Sequence, residues 1–496
     1  MSHLQLRESP AIESHPAPHK FIPGADLMKR GTIKVFSIFI FLILASLALL
    51  VPEHSLSASR KPLFIQVHVT NSLGNISSAQ LKRILAGEVA NFRDIGGRNM
   101  PVRIYVDSEI AKKVIKEYPG LNCRVQSFNR EYLASERGFL GISDLRGLRP
   151  CFKVLYIDKT LPWGKIGDDY SLENDGPYAF TMNGAEEWDP GSHVTIAQTG
   201  VTAMTRAFMA AVEKSGDILS PVRFTKTITS KADIATTSNE VSFLEPCTWP
   251  LKDRMLFCSP IRYLKILEES GFDVIELTGN HNNDFGSVHN AESVSLLDRA
   301  GMKHFGGGKN RDDAEKVLYL TVKGTTVAFV GFNELGPEYA FATEKKAGAA
   351  RLSRELFTRL VGEAVSKASV VFATVQWGNE NDPVPQEIQK RYFHLAADLG
   401  ATIIVSSSAH RPMGLEFYKG RFISYGLGNF LFDQMQTMNT RRGLIARHHI
   451  YKGKHITTEL IPYLIYDYSQ PRLLHGKEAR ELFEEVFKYS IGPAFK

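Results

Sequence analysis

The residues from Ile33 to Val51 read IKVFSIFIFLILASLALLV, apolar almost throughout. A run of that length is what a helix needs to cross a bilayer. Lys29, Arg30 and Lys34 stand at its N-terminal edge, and no Lys or Arg follows it until Arg60. The positive-inside bias therefore predicts a cytoplasmic tail over 1–32, a single-pass anchor over 33–51 and export of the rest. A cleaved signal peptide is the alternative, but the polar lead is long and the only small-residue stretch, Ser55–Ser59, is a weak site. After a linker over 52–61 the apolar patterns become short. Leu63–Val69 and Val102–Val106 alternate as strands. Ser77–Leu85, with Ser77 as N-cap, and Asp107–Tyr118 have helical spacing. These elements predict a small α/β lobe over 62–180.

Asp168–Ser192, rich in Asp, Asn, Gly and Pro, marks a boundary, and a second domain is expected over 181–496. Strands are predicted at Val194–Ala197, Ile234–Thr236, Val274–Leu277, Val370–Thr374, Ile403–Ser406 and Phe422–Tyr425. Helices are predicted at Val201–Lys214, Ile261–Ser270, Ser287–Ala300 and Gln386–Leu399. Val317–Val322 and Thr326–Gly331 read as a hairpin turning at Lys323-Gly324. The regular alternation of strand and helix predicts a layered α/β fold.

Composition changes this picture little. Of the 496 residues, 43% are hydrophobic and 23% charged, as in folded globular chains. The formal net charge of +6 is spread thinly, without the basic and aromatic stripe of a nucleic-acid surface, so no nucleic acid is expected as partner. The four cysteines show no Cys-x-x-Cys spacing. In an exported chain neighbour pairing is expected, Cys123 with Cys151 and Cys247 with Cys258, four buried thiols being the alternative. His448-His449 lies in an apparent strand and reads as a surface pair.

Candidate chemistry collects just past the predicted strands, where α/β sheets place their sites. The segments are Thr199–Arg206, Ser238-Asn239-Glu240, Thr278–Gly286, Gln376–Glu380 and Ser406–His410. Their Asn, His, Asp and Glu side chains are donors of the kind divalent metals use, although turn geometry alone also favours Asn, Asp and Gly.

Three stretches carry a resemblance. GFDVIELTGNHNNDFG, LLDRAGMKHFGGGKNRDDAEKVLYLTVKGTTVAFVGF and FYKGRFISYGLGNFLFDQ are similar, in order and spacing, to segments of the CapA family of poly-γ-glutamate capsule synthesis proteins. The likeness runs from about His193 to about Gln434. It implies a four-layer α/β/β/α sandwich of the metallo-dependent phosphatase kind, and a role in the synthesis, export or anchoring of an extracellular polymer. It also implies site roles: His281 and Asp284 as acid/base and orienting residue, Asn239, Glu240, Asn280 and His410 as metal ligands, and Arg206, Glu380, Glu416 and Asn429 as substrate-binding groups. Three positions depart from the family pattern, with Val201 for an Asp, Gln376 for a His and Ser408 for a His. A valine binds no metal, and an amide or hydroxyl is a poorer transition-metal ligand than imidazole. Three readings follow: an altered polar site with one divalent cation (Mn, Mg, Ca or Zn) or none; a non-catalytic envelope scaffold; and an active metal-dependent phosphoesterase. The expected partners are an anionic extracellular polymer or its synthase complex and the bacterial plasma membrane. A second stretch, Ser77–Ser108, resembles phosphate-type periplasmic binding proteins, with Phe92 where their Trp stands. It implies one lobe only, without carrying over ligand binding.

Overall fold

The computed structural model describes residues 60–173, 180–183, 185–248, 255–378 and 382–496. The tail, the apolar run 33–51 expected to be the anchor, and most of the linker lie outside the described residues, as does Glu380. Among the described residues no helix is long and apolar enough to cross a membrane.

The lobe forms where the alternating pattern placed it. Its elements are β1 (Phe64–His68), α1 (Ser78–Leu85), β2 (Arg103–Asp107), α2 (Ala111–Glu117), β3 (Arg124–Gln126), β4 (Phe139–Ser143) and β5 (Phe152–Val154). Ser77 caps α1 through a reciprocal capping box with Gln80. The strands make one sheet in the order β3-β2-β4-β1-β5. Arg60–Pro62 pairs antiparallel with Thr181–Asn183, tying the start of the lobe to its end.

That strand order overturns one cysteine pairing. Cys123 precedes β3 and Cys151 precedes β5, at opposite edges of the sheet, and both are free thiols. Four strand spacings separate those edges, about 19 Å, whereas a disulfide needs its Cα atoms within about 7 Å. Burial pushes the Cys151 thiol up to about 12. Cys247 and Cys258 are bridged as expected, with Cα atoms 6.0 Å apart.

The second domain contributes β6 (His193–Thr202), α3 (Ala207–Ser215), β7 (Ile234–Asn239), α4 (Leu264–Glu269), β8 (Val274–Glu276), α5 (Ser287–Arg299), β9 (Lys303–Phe305), β10 (Leu318–Val322), β11 (Thr325–Asn333), α6 (Arg354–Lys367), β12 (Val370–Gln376), α7 (Glu387–Leu399), β13 (Ile403–Ser407), β14 (Leu415–Tyr418), β15 (Arg421–Ser424), β16 (Asn429–Leu431), β17 (Arg442–Tyr451), β18 (Lys454–Tyr466), β19 (Gln470–Leu473) and α8 (Gly476–Tyr489). Among the described residues two large sheets form. One runs β9-β8-β7-β6-β17-β18-β19, with β16 beside β6; the other runs β10-β11-β12-β13-β15-β14. Ile196, Val274, Phe329, Phe372 and Ile403 belong to one core, so the sheets face each other. The outer face of the first packs on α3, α4 and α5 through Phe208, Leu267 and Leu297. The outer face of the second packs on α6 and α7 through Phe357, Leu360 and Phe393. Lys323 and Gly324 both take positive φ, 48° and 74°, at the expected hairpin turn.

Two expectations about this domain are corrected. The helix predicted from Val201 starts only at Ala207, because β6 runs on to Thr202 with Val201 paired to both Ser238 and Asn429. The β-branched pair in Gly200-Val201-Thr202 favours extended backbone, and sheet pairing on both sides outweighs the helical spacing. His448 and His449 are fully buried rather than at the surface, because β17 is central, with β6 and β18 on its flanks. His193 Nε2 lies 3.0 Å from His449 Nδ1, and His455 Nε2 lies 2.8 Å from Thr458 Oγ1.

Burial lowers His193 to about 2 and His455 to about 3. Both fall below the ordinary histidine value, so the unfolded chain binds more protons than the fold below about pH 6.5. Stability is present above that pH and is lost as pH falls toward 3. Each of the two is expected to remove about 2 kcal/mol at pH 5. Calorimetric melting between pH 7.5 and 5 checks this; an unchanged or rising melting temperature would contradict it.

Candidate functional site

The carboxyl ends of β6, β7 and β8 meet those of β12 and β13, and the polar residues noted in the sequence converge there. The last residue of β7, Asn239, is followed by Glu240, whose N–H donates to Thr202 O at 2.9 Å. Glu240 is 1% exposed. The loop after β8 passes directly over it. A Cβ on Gly279 would come within 2.4 Å of Glu240 Cα, so only glycine allows that approach.

From the opposite sheet, Gln376 closes the centre. Its Nε2 donates to Glu240 Oε1 at 2.9 Å and to Asn280 Oδ1 at 2.6 Å. The amide nitrogen must face these two oxygens, since an oxygen placed there would repel both. Ser407 Oγ donates to Glu276 Oε1 at 2.8 Å, a second bond across the seam. Burial raises the Glu276 carboxyl, the hydroxyls of Thr278 and Ser407 oppose that rise, and the Glu240 charge adds to it. Ser238, Glu276, Ser407, Ser408 and His410 help to line a cavity of about 10 Å³, roughly the room of one water.

His410 reaches the cluster from the loop after β13. Its Nδ1 lies 2.8 Å from Asn429 Oδ1, and its Nε2 lies 4.0 Å from Glu240 Oε2. Asn429 Nδ2 donates to Thr440 O at 3.0 Å, which leaves its Oδ1 to accept from the ring. Ser408 and His410 hold positive φ, 90° and 53°, and so does Arg206 at 51°. Left-handed backbone in non-glycine residues is strained, and three such residues border one centre.

His281 and Asp284 form the outer part of the site. His281 Nδ1 lies 2.7 Å from Asp284 Oδ2, which also accepts from Phe257 N at 2.8 Å. Asp284's side chain is fully buried and the His281 side chain 20% exposed. Burial acts to lower His281, but the bond and charge of Asp284, with a contribution from Glu240, win and raise it above the ordinary value. Phe257 packs on the His281 ring at 4.3 Å, and the Arg206 guanidinium lies 4.3 Å from the Phe257 ring centre. Arg206 is ion-paired with Asp433, which also accepts from Ala207 N at 2.8 Å and so fixes the start of α3.

The structure therefore brings together Asn239, Glu240, Asn280, His281, Asp284, His410, Asn429 and Arg206. Glu416 sits elsewhere: it accepts from Tyr425 at 2.7 Å and contacts His394 of α7 at 2.9 Å. Glu276 and Asp433 were not foreseen as site residues. Glu276 could have been found as the one acid in the strand Val274–Glu276, and Asp433 in the matched FLFDQ motif.

Whether these donors fit a two-metal centre follows from their chemistry. Such a centre needs a bridging carboxylate and several imidazoles. Among the described residues no group of three or more His, Cys, Asp or Glu could hold a metal ion. Val201 lies in an apolar cluster with Phe257 and Phe432. The Gln376 N–H₂ group points between the two oxygens nearest the centre, and a donor there repels a cation. The residues do not fit a two-metal centre.

The fold and site define a mixed α/β sandwich with a closed polar centre at its sheet ends. Residues 195–434 match the family described as "Bacterial capsule synthesis protein PGA_cap". The chain is 26% identical over 229 residues to the capsule biosynthesis protein CapA of Bacillus anthracis, covering 45% of this chain and 56% of that one. It is 30% identical over 205 residues to the PGA biosynthesis protein CapA of Bacillus subtilis, covering 41% and 54%. The chain thus spans about half the length of these curated relatives. A phosphatase structure from Mycoplasma pneumoniae is similar at 12% identity and TM-score 0.34, over 55% of this chain and 94% of that one. The family and relative matches support the CapA-family reading of the matched segment.

Two predictions follow from this geometry. Replacing Asp284 by Asn removes the charge that holds His281 up, so its ring should titrate lower, read by NMR of the ring protons; an unmoved midpoint would refute the assignment. Val201→Asp, Gln376→His and Ser408→His together should raise bound Mn or Zn in elemental analysis of the desalted protein, from well below one ion per chain to about one; equal metal content in both forms would mean that these three positions do not decide metal binding.

Proposed function

We propose that this protein is a membrane-anchored accessory protein in the synthesis, export or anchoring of an anionic extracellular polymer of the poly-γ-glutamate kind, acting without a two-metal centre. The observation that carries this reading is the match over 195–434 together with the intact His281–Asp284 pair beside Arg206. A raised, partly exposed imidazole next to a guanidinium suits carboxylates on a polymer. The charged edge of the apolar run 33–51 supports an anchor in the bacterial plasma membrane with the bulk outside. The Cys247–Cys258 bridge supports an oxidising compartment. The lobe serves, in this reading, as a docking module.

The His281–Asp284 pair also favours a second reading, an acid/base enzyme on the same polymer. His281 Nδ1 is committed to Asp284, which leaves Nε2 to hold or release a proton at the substrate.

Deleting the gene in its host should remove most of the surface polymer, and the unaltered gene should restore it. His281→Gln is expected to reduce the restored polymer about tenfold or more, measured on purified envelope polymer. Full restoration by His281→Gln would leave only the scaffold role, and retention of polymer in the deletion strain would refute the function itself.

A further inference from the structure

A cavity far larger than the one at the sheet ends lies elsewhere among the described residues. About 680 Å³ lies between the lobe and the second domain, bounded by β5 and the segment after it on one side and by β14, β15, β18 and α8 on the other. That volume is in the range of small-molecule sites. Its walls are mostly apolar: Phe152, Leu415, Phe417, Leu460, Phe483 and Phe487 all face it.

The charges around it do not balance. Glu459 lines the cavity, but Arg447 neutralises it at 2.5 Å and Tyr156 donates to it. Asp168 lines it too and is paired with Lys159 at 2.8 Å. Arg98 is paired with the exposed Glu484. Lys153 and Arg480 also line it, and among the described residues neither has an ion pair. Lys153 donates instead to the carbonyl of Asn71. The first turn of α8 opens on the same space through His475 and Gly476, and no side chain caps it. Uncapped N–H groups at a helix start add positive potential. Burial, and then the Arg98 charge, bring Lys153 down to about 7, so near neutral pH its amine is only partly charged and an incoming anion would favour the charged form.

We infer that this cavity binds an amphipathic anion, an acyl chain whose carboxylate or phosphate head pairs with Lys153 and Arg480 while its tail lies against the phenylalanine wall. This site is separate from the polar centre at the sheet ends and does not rest on the function proposed for it. Its ligand is recognised by chemistry alone: one long apolar body and one negative end, supplied either by a free fatty acid or by a single-chain phospholipid.

The test uses the full-length chain in membranes and a palmitic acid carrying a photoreactive diazirine on its chain. After irradiation, adducts are mapped by peptide mass spectrometry. Adducts are expected on the peptides holding Phe417, Leu460, Phe483 or Phe487. Unlabelled palmitate or palmitoyl lysophosphatidate should compete with them, and the stronger competitor identifies the source of the head group. Hexadecanol, which lacks the charge, should compete about tenfold less well. Lys153→Met and Arg480→Gln should each cut the adduct yield several-fold with melting temperature unchanged; Arg480, being exposed, carries the test alone where Lys153→Met does not fold. Adducts confined to other peptides, equal competition by hexadecanol, or full labelling of Arg480→Gln would each overturn the inference.

Discussion

Glu240 places a carboxylate, 1% exposed, where two sheets converge. A buried charge left without compensation costs several kcal/mol, so everything around it must answer it. Cations could supply that answer. Here it is an amide: Gln376 donates to Glu240 and to Asn280 at once, and joins the two sheets in doing so. The Ser407–Glu276 bond repeats the arrangement one strand along. The seam is thus closed by hydrogen bonds between sheets.

That closure sets what the outer residues can do. The groups left near solvent are His281 and Arg206, both packed on Phe257. Asp284 orients the imidazole, and Asp433 holds the guanidinium and the start of α3. The imidazole and the guanidinium therefore each have a fixed counterpart.

Much of this was legible in the chain. Alternation and turn chemistry gave the strand and helix order, because both depend on local spacing; the hairpin at Lys323-Gly324 and the cap at Ser77 are such cases. The long motifs around Asn280 and Asn429 told which loops would share a site. What stayed hidden depends on neighbours distant in sequence. The Cys123–Cys151 separation follows from strand order, and the burial of His448 and His449 from β17 being central. Gln376 reads in the chain as a lost ligand; only its distances to Glu240 and Asn280 show that it bonds to both across the seam.

The Cys247–Cys258 bridge ends one residue from Phe257, the ring against which both His281 and Arg206 rest. A thiol pair exists as a bond only where the ambient redox potential allows it. The platform under the imidazole and the guanidinium is therefore fastened by the redox milieu as well as by the sequence: under reducing conditions the loop carrying Phe257 is held by packing and by the bond of its N–H to Asp284, and it gains its covalent tie under oxidising ones. The redox state of the surroundings is thereby linked to how firmly the site's aromatic platform is held.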